Sequence, residues 1–163
     1  MPSRWILRLY GSLPRSLTHW VVRWVYGGLP VGVVAVVFDQ ADRVLVLEHT
    51  YGHPRWRLPG GLVERGEQPL DTARREIAEE ARCTIQRVAV FDAAMLRYSL
   101  DIAVVAELLD ERPFQPSAEI SGKRWTELGD LRALPPEQQA FVAGAIRARA
   151  AYRGELLADR HQQ

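Results

Sequence analysis

The stretch GLVERGEQPLDTARREIAEE, residues 61–80, ends with three glutamates in five positions. Pro69 suits the first position of a helix, where its missing N–H is no loss. Leu70, Ala73, Ile77 and Ala81 then recur at helical spacing. The pattern predicts a helix over residues 69–82 with that stripe buried. At about 100° per residue, Glu76, Glu79 and Glu80 fall within an arc of roughly 100° at the edge of the stripe. Like charges three and four apart destabilise a helix by roughly 0.2–0.5 kcal/mol per pair. Glu79 and Glu80 also lie in the last turn, where the helix dipole disfavours negative charge. Arg75 can reach Glu79, but Arg before Glu is the weaker orientation. These local costs share one sign, and they point to a strongly positive partner. A hard divalent cation such as Mg²⁺ fits, because it takes a few carboxylates together with water and substrate phosphates. Crowded carboxylates titrate as a group with raised pKa values, and a bound ion reverses that trend. On these glutamates alone, a solvated acidic helix face is the competing explanation.

The residues upstream decide between the two. From Gly61 the chain runs through five residues to Glu67, seven more, and then Arg75-Glu76-Ile77-Ala78-Glu79-Glu80. This resembles the box of the Nudix family, G-x5-E-x7-R-E-U-x-E-E-x-G-U, where U is aliphatic. Six charged or glycine positions match, and Ile77 fills the first aliphatic one. At an ordinary usage of roughly 6% per residue type, a chain of this length matches by chance about once in a hundred thousand. Two positions depart. Arg82 stands where the family has glycine, and Cys83 where it has an aliphatic residue. The glycine supplies a left-handed cap that costs other residues about 1 kcal/mol or more, so a different helix end is expected around residues 82–85.

The resemblance implies an α/β fold, an α/β/α sandwich with a mixed central sheet, over roughly residues 30–152. It implies hydrolysis of a nucleoside diphosphate linked to another group, with water attacking phosphorus and Mg²⁺ or Mn²⁺ assisting. Glu76, Glu79 and Glu80 become metal ligands, joined by the Gly60 carbonyl. Arg75 orients carboxylates, Glu67 braces the loop, and Gly61 lets the backbone approach closely. The general base is either Glu76 or a carboxylate on a later loop, for which the chain offers Glu119 in SAEISGKRW. Arg55, Arg57 and Arg97 are candidates for meeting phosphates. Tyr51, Trp56 and Tyr98 are candidates for stacking on a base, Tyr98 lying where dinucleoside polyphosphate hydrolases tend to carry a tyrosine. His49 and His53 lack a metal-site spacing and read as structural or surface residues.

The rest of the chain fits one domain with an interior of its own. It has 163 residues, 47% hydrophobic and 25% charged, ordinary values for a globular protein. A net charge of +1 provides no global field for nucleic acid or an acidic partner. The single cysteine, Cys83, excludes a disulfide within the chain and suits a reducing compartment, so the expected location is cytoplasmic. VGVVAVVF (31–38) reads as a strand buried on both faces. VLVLEH (44–49), WRLP (56–59), VAVFD (88–92), DIAVVAELL (101–109) and KRWTEL (123–128) follow as further strands. Residues 135–152 form a second helix, with Phe141, Ala145, Ala148 and Tyr152 on one face. Residues 110–122 form a loop long enough to suspect function.

Residues 1–29 stand apart as a basic extension, and residues 30–163 as the Nudix domain. Up to Phe38 there are four arginines and no acid, which leaves 17 of the 21 basic residues against 20 acidic ones in the remainder, a net of −3. Leu17, Trp20, Val21 and Trp24 mark an amphipathic helix there. Its apolar face is expected to pack on the domain or on a second subunit in a homodimer. Contact with a membrane surface or nucleic acid is the less favoured reading. Arg23 and the Gly27-Gly28-Leu29-Pro30 break divide the apolar run 18–38 into pieces too short to span a bilayer, and no signal-peptide cleavage pattern follows a short apolar stretch. Two alternatives to an enzyme acting on a nucleotide substrate are a Nudix-fold module that senses a nucleotide without cleaving it, and an interaction protein working through the extension.

Overall fold

The structure, a computed structural model, describes residues 29–96 and 99–160. Eight consecutive apolar or glycine residues form β1 (Val31–Phe38), the centre of a mixed sheet. Its side chains alternate between two interiors, which is why no polar residue interrupts the run. Val33, Ala35 and Val37 face one core, and Val34, Val36 and Phe38 the other. Asp39 then makes the turn. Its Oδ1 accepts the N–H groups of Ala41 and Arg43 at 2.9 and 2.8 Å, and β2 (Val44–His49) follows.

Five more strands complete the sheet: β3 (Trp56–Arg57), β4 (Gly60–Leu62), β5 (Cys83–Met95), β6 (Leu100–Glu111) and β7 (Ile120–Thr126). The order is β3-β2-β1-β6-β5, with β4 paired to β1 and β7 to β2. Among the described residues only the β1–β6 pairing is parallel, in register from Val31–Leu100 to Phe38–Glu107. One face carries α1 (Pro69–Glu76), which runs on into a π-helical turn, Ile77–Ala81. Ala73, Ile77 and Ala81 are fully buried against Leu45, Leu47, Val104 and Ile120, with Leu70 packed alongside. The other face carries α2 (Pro136–Arg160), whose Phe141, Val142 and Ala145 pack on Val36, Val46 and Val105. The result is the expected α/β/α sandwich.

Several boundaries differ from the sequence reading. The helix over 69–82 is an α-helix only to Glu76, and its last turn is wider. Arg82 keeps the left-handed conformation of the missing glycine, φ 56° and ψ 36°, and its N–H closes the turn on the Ile77 carbonyl. The chain therefore leaves the helix as the family pattern demands, despite the arginine. β5 begins at once with Cys83, five residues earlier than expected. It lies at the sheet edge, where Thr84, Gln86 and Arg87 face solvent. Three register shifts, one around left-handed Arg87, bend it. β6 and β7 extend inward on the suspected loop, which shrinks to residues 112–119. α2 runs eight residues past its expected end. Val142, absent from the expected face, is fully buried.

Among the described residues no helix is long and apolar enough to cross a membrane, and residues 31–38 of the apolar run are an interior strand. The amphipathic helix expected in the extension 1–29, with the partners suggested for it, falls on residues 1–28, which lie outside the described residues, as do Arg97 and Tyr98.

Candidate functional site

The glutamates gather where the end of α1 meets β4. Arg75 is the hub. Its Nε and Nη2 donate to the two carboxylate oxygens of Glu67 at 2.9 and 3.0 Å, and Nη1 donates to Glu76 Oε1 at 2.8 Å. Nη2 also reaches the Leu62 carbonyl at 3.3 Å. Glu67 accepts two further bonds, from Thr72 Oγ1 at 2.7 Å and from the Glu64 N–H at 3.1 Å. This set of donors, Arg75 first, holds the Glu67 carboxyl down at about 2. Arg75 is held firmly protonated in return. Sequence reasoning missed Thr72, although a hydroxyl beside buried Ala73 on the packed side of a helix signals a polar partner nearby.

Glu76 and Glu80 are in the opposite state. Burial pushes the Glu76 carboxyl up, against the pull of Arg75. Glu80 rises to about 8, first through burial and then through the charges of Glu76, Glu119 and Glu79, while the Gly60 N–H at 3.3 Å opposes the rise. Glu79 is exposed. Gly61 leaves the space that Glu76 fills, since a Cβ there would lie 2.1 Å from Glu76 Oε1. Gly60 is packed as tightly on its other side, where a Cβ would lie 2.1 Å from the Val33 carbonyl oxygen.

Glu119 comes from the far side of the sheet face. Ser117 Oγ accepts the N–H groups of Glu119 and Ile120 at 3.2 and 3.0 Å, which tightens the turn into β7. The Thr50 N–H donates to the Glu119 carbonyl at 2.8 Å, and Thr50 Oγ1 to the Ala118 carbonyl at 2.8 Å. The loop after β2 thus anchors the turn so that Glu119 contributes to the negative charge at Glu80.

The expected substrate contacts are more scattered. Arg57 Nε donates to the Pro54 carbonyl at 2.8 Å and Nη2 to that of Tyr51 at 3.4 Å, so its guanidinium braces the loop it lies under. Arg55 and Tyr51 are exposed on that loop. Trp56 is stacked by Arg124 at 4.2 Å. His49 is buried edge-on to Tyr51, with ring centroids 6.0 Å apart, and burial followed by the Arg57 charge lowers its pKa to about 4. It is a neutral interior residue, and His53 is exposed.

The carboxylates suit a divalent cation. Burial and then neighbouring negative charge push Glu76 and Glu80 up, and Arg75 is already spent on Glu67 and Glu76. Among the described residues no three acidic, histidine or cysteine side chains close into a cage. Mg²⁺ does not require one, because it usually keeps several waters and completes its shell with substrate phosphates.

The model of the NUDIX domain matches residues 28–147. A putative 8-oxo-dGTP diphosphatase 3 of Mycobacterium tuberculosis is 34% identical over 107 residues, covering 59% of this chain and 48% of that protein. Nudix hydrolase 6 of Arabidopsis thaliana is 27% identical over 152 residues, covering 85% of this chain and 50% of that protein. The chain spans about half the length of these curated relatives. Among solved structures, an ADP-ribose pyrophosphatase from Streptococcus suis superposes with a TM-score of 0.60 at 24% identity, covering 70% of this chain and 89% of that one. A NUDIX hydrolase from Nitrosomonas europaea gives 0.65 at 18% identity, covering 74% and 90%. Both show a shared fold.

Proposed function

The chain belongs to the Nudix family, and on that premise we propose that it hydrolyses a pyrophosphate bond in a nucleoside diphosphate linked to another group, using Mg²⁺ or Mn²⁺. The observation that carries this reading is Glu80, a half-buried carboxylate crowded by Glu76, Glu79 and Glu119 with a single backbone N–H to steady it. Such a group is costly to ionise without a cation beside it. An enzyme reading gives that cost a use, whereas a module that only senses nucleotide has no need of the full carboxylate set. The diphosphatase name of the mycobacterial relative supports the same class of reaction.

Glu76, Glu79 and Glu80, with the Gly60 backbone, would hold the metal. When bound, it would polarise phosphoryl oxygens, acidify a water and neutralise charge on the leaving phosphate. The chain's own residues have separable roles around it. Arg75 fixes the direction of Glu76 and, through Glu67, ties the end of β4 to α1. Gly61 admits the Glu76 carboxyl against the backbone. Glu119, on the opposite turn, would take the proton of an attacking water, with Glu76 the alternative base. Arg55 and Tyr51 stand on the loop that Thr50 joins to Glu119, and there they would meet the nucleotide. Arg97 and Tyr98 keep the substrate-binding roles that the resemblance implies. The lone Cys83, buried and free, supports a cytoplasmic location.

The test is a panel of oxidised and ordinary nucleoside triphosphates, nucleotide sugars, ADP-ribose and dinucleoside polyphosphates, with phosphate-containing products read by chromatography. Wild type should release a nucleoside monophosphate from at least one in the presence of Mg²⁺ or Mn²⁺. Glu80→Gln should reduce that turnover by orders of magnitude while remaining folded. Full activity in Glu80→Gln would reject the assignment.

A further inference from the structure

The far end of the helix that bears Glu80 is held by a buried lysine outside the motif. Lys123 stands opposite Leu47 in the β2–β7 pairing, so it points to the sheet face that carries α1. Its side chain is only 6% exposed. Nζ donates to the Ala81 carbonyl at 2.8 Å, lies 2.6 Å from Glu111 Oε1 and 3.7 Å from Cys83 Sγ, and sits 5.8 Å from the centre of the Phe114 ring. Glu111 is itself fixed by Trp125 Nε1, which donates to Oε2 at 3.1 Å.

Burying an ammonium is costly, and well-packed apolar residues often replace a buried ion pair without loss of stability. What such replacements cannot reproduce is the direction of the bond to Ala81. That carbonyl belongs to the last residue of the π-helical turn, among the carbonyls a helix leaves without partners, at the negative end of its dipole. Ala81 directly follows Glu80. Lys123 shares its strand with Ile120, which directly follows Glu119. The ammonium therefore joins the two elements that supply the opposing carboxylates.

Resting on the metal-dependent reading of the site, we propose that Lys123 is a positioning residue that clamps the end of the Glu80-bearing turn to β7 and so sets the spacing between Glu80 and Glu119. It touches neither substrate nor metal. Its effect is transmitted through the Ala81 carbonyl.

Mn²⁺ titration calorimetry, with thermal melting of the same samples, tests this on the full chain. In Lys123→Met the Mn²⁺ dissociation constant should rise about tenfold. In Lys123→Gln, whose amide can still donate to Ala81, it should rise by less. In Glu111→Gln, which breaks the ion pair but spares the Ala81 bond, it should stay within about twofold of wild type, even if the melting temperature falls. A folded Lys123→Met with wild-type Mn²⁺ affinity would overturn the proposal, because a purely structural lysine changes melting alone. Should Lys123→Met fail to fold, the other two variants decide. Glu111→Gln losing as much affinity as Lys123→Gln would place the effect in the ion pair and overturn the clamp. Wild type that binds no Mn²⁺, or Glu80→Gln that binds it equally well, would instead defeat the reading of the site itself.

Discussion

At the scale of single residues, Glu67 and Glu80 show how one motif drives two carboxylates apart. Glu67 has three sets of donors and is ionised well below neutrality. Glu80 has one backbone N–H and three acidic neighbours, and it holds its proton up to about pH 8. The two make opposite demands on the metal-free protein. The Glu67 contribution is present above the ordinary carboxylate pKa and is lost as pH falls toward 2. Glu80, with its folded-state pKa raised, contributes stability below its unfolded value, and that contribution is lost as pH rises through about 8. Glu80→Gln removes the second penalty. The melting temperature of metal-free Glu80→Gln should therefore exceed that of wild type near pH 8, and the difference should shrink toward pH 5. Thermal melts across that range in the presence of a chelator check it, and a Glu80→Gln protein less stable than wild type at pH 8 would contradict it. Much of this was legible in the sequence, because helical spacing placed Glu76, Glu79 and Glu80 together and the family resemblance implied Glu67 and Arg75 beside them. Lys123 was not legible, since its role depends on contacts that no local period encodes, and Thr72 offered only the hint of a hydroxyl on the packed side of the helix.

At the scale of elements, the helix that bears the glutamates ends in a way the sequence left open. Arg82 occupies the left-handed position normally given to glycine and holds it with φ 56°. The demand comes from the whole connection. The Arg82 N–H must close the π-helical turn, its carbonyl accepts the Arg112 N–H at 3.0 Å, and β5 starts at the next residue. A non-glycine residue is strained there by roughly 1–2 kcal/mol, partly offset by the greater entropy glycine would gain when unfolded. Arg82→Gly should stabilise the protein by about 1 kcal/mol, roughly 2–4 °C in melting temperature for a domain of this size, with turnover little changed. An unchanged or lower melting temperature would mean that the bond from Arg82 Nη1 to Gln115, 3.1 Å, outweighs the strain. The π-helical widening itself could not be read in advance, because the 3.6-residue stripe Leu70, Ala73, Ile77, Ala81 is equally consistent with an unbroken α-helix. The edge strand β5 was expected only over residues 88–92 for a related reason. The outward residues of its first half, Thr84, Gln86 and Arg87, are polar, so only its apolar middle carried a strand signal.

At the scale of the whole molecule, two interiors on either side of one sheet give the site its rigidity. The alternation along β1 shows how a strand buried on both faces suits the three-layer fold that the resemblance implied. The layer holding α1 places Glu80 against β4, and the loops at the ends of β2 and β7 bring Glu119 to it across the sheet. No element holds the whole site, so its charge balance belongs to the assembled fold. That balance makes the proposed completion of the carboxylate cluster by a divalent cation measurable. Near neutral pH Glu80 carries a proton in the metal-free protein and must release it for a cation to bind. Calorimetric titration of Mn²⁺ into the protein, repeated in buffers of different ionisation enthalpy, measures that release. About one proton should be released per ion bound to wild type, and close to none with Glu80→Gln. Binding without proton release, or no binding by wild type, would contradict it.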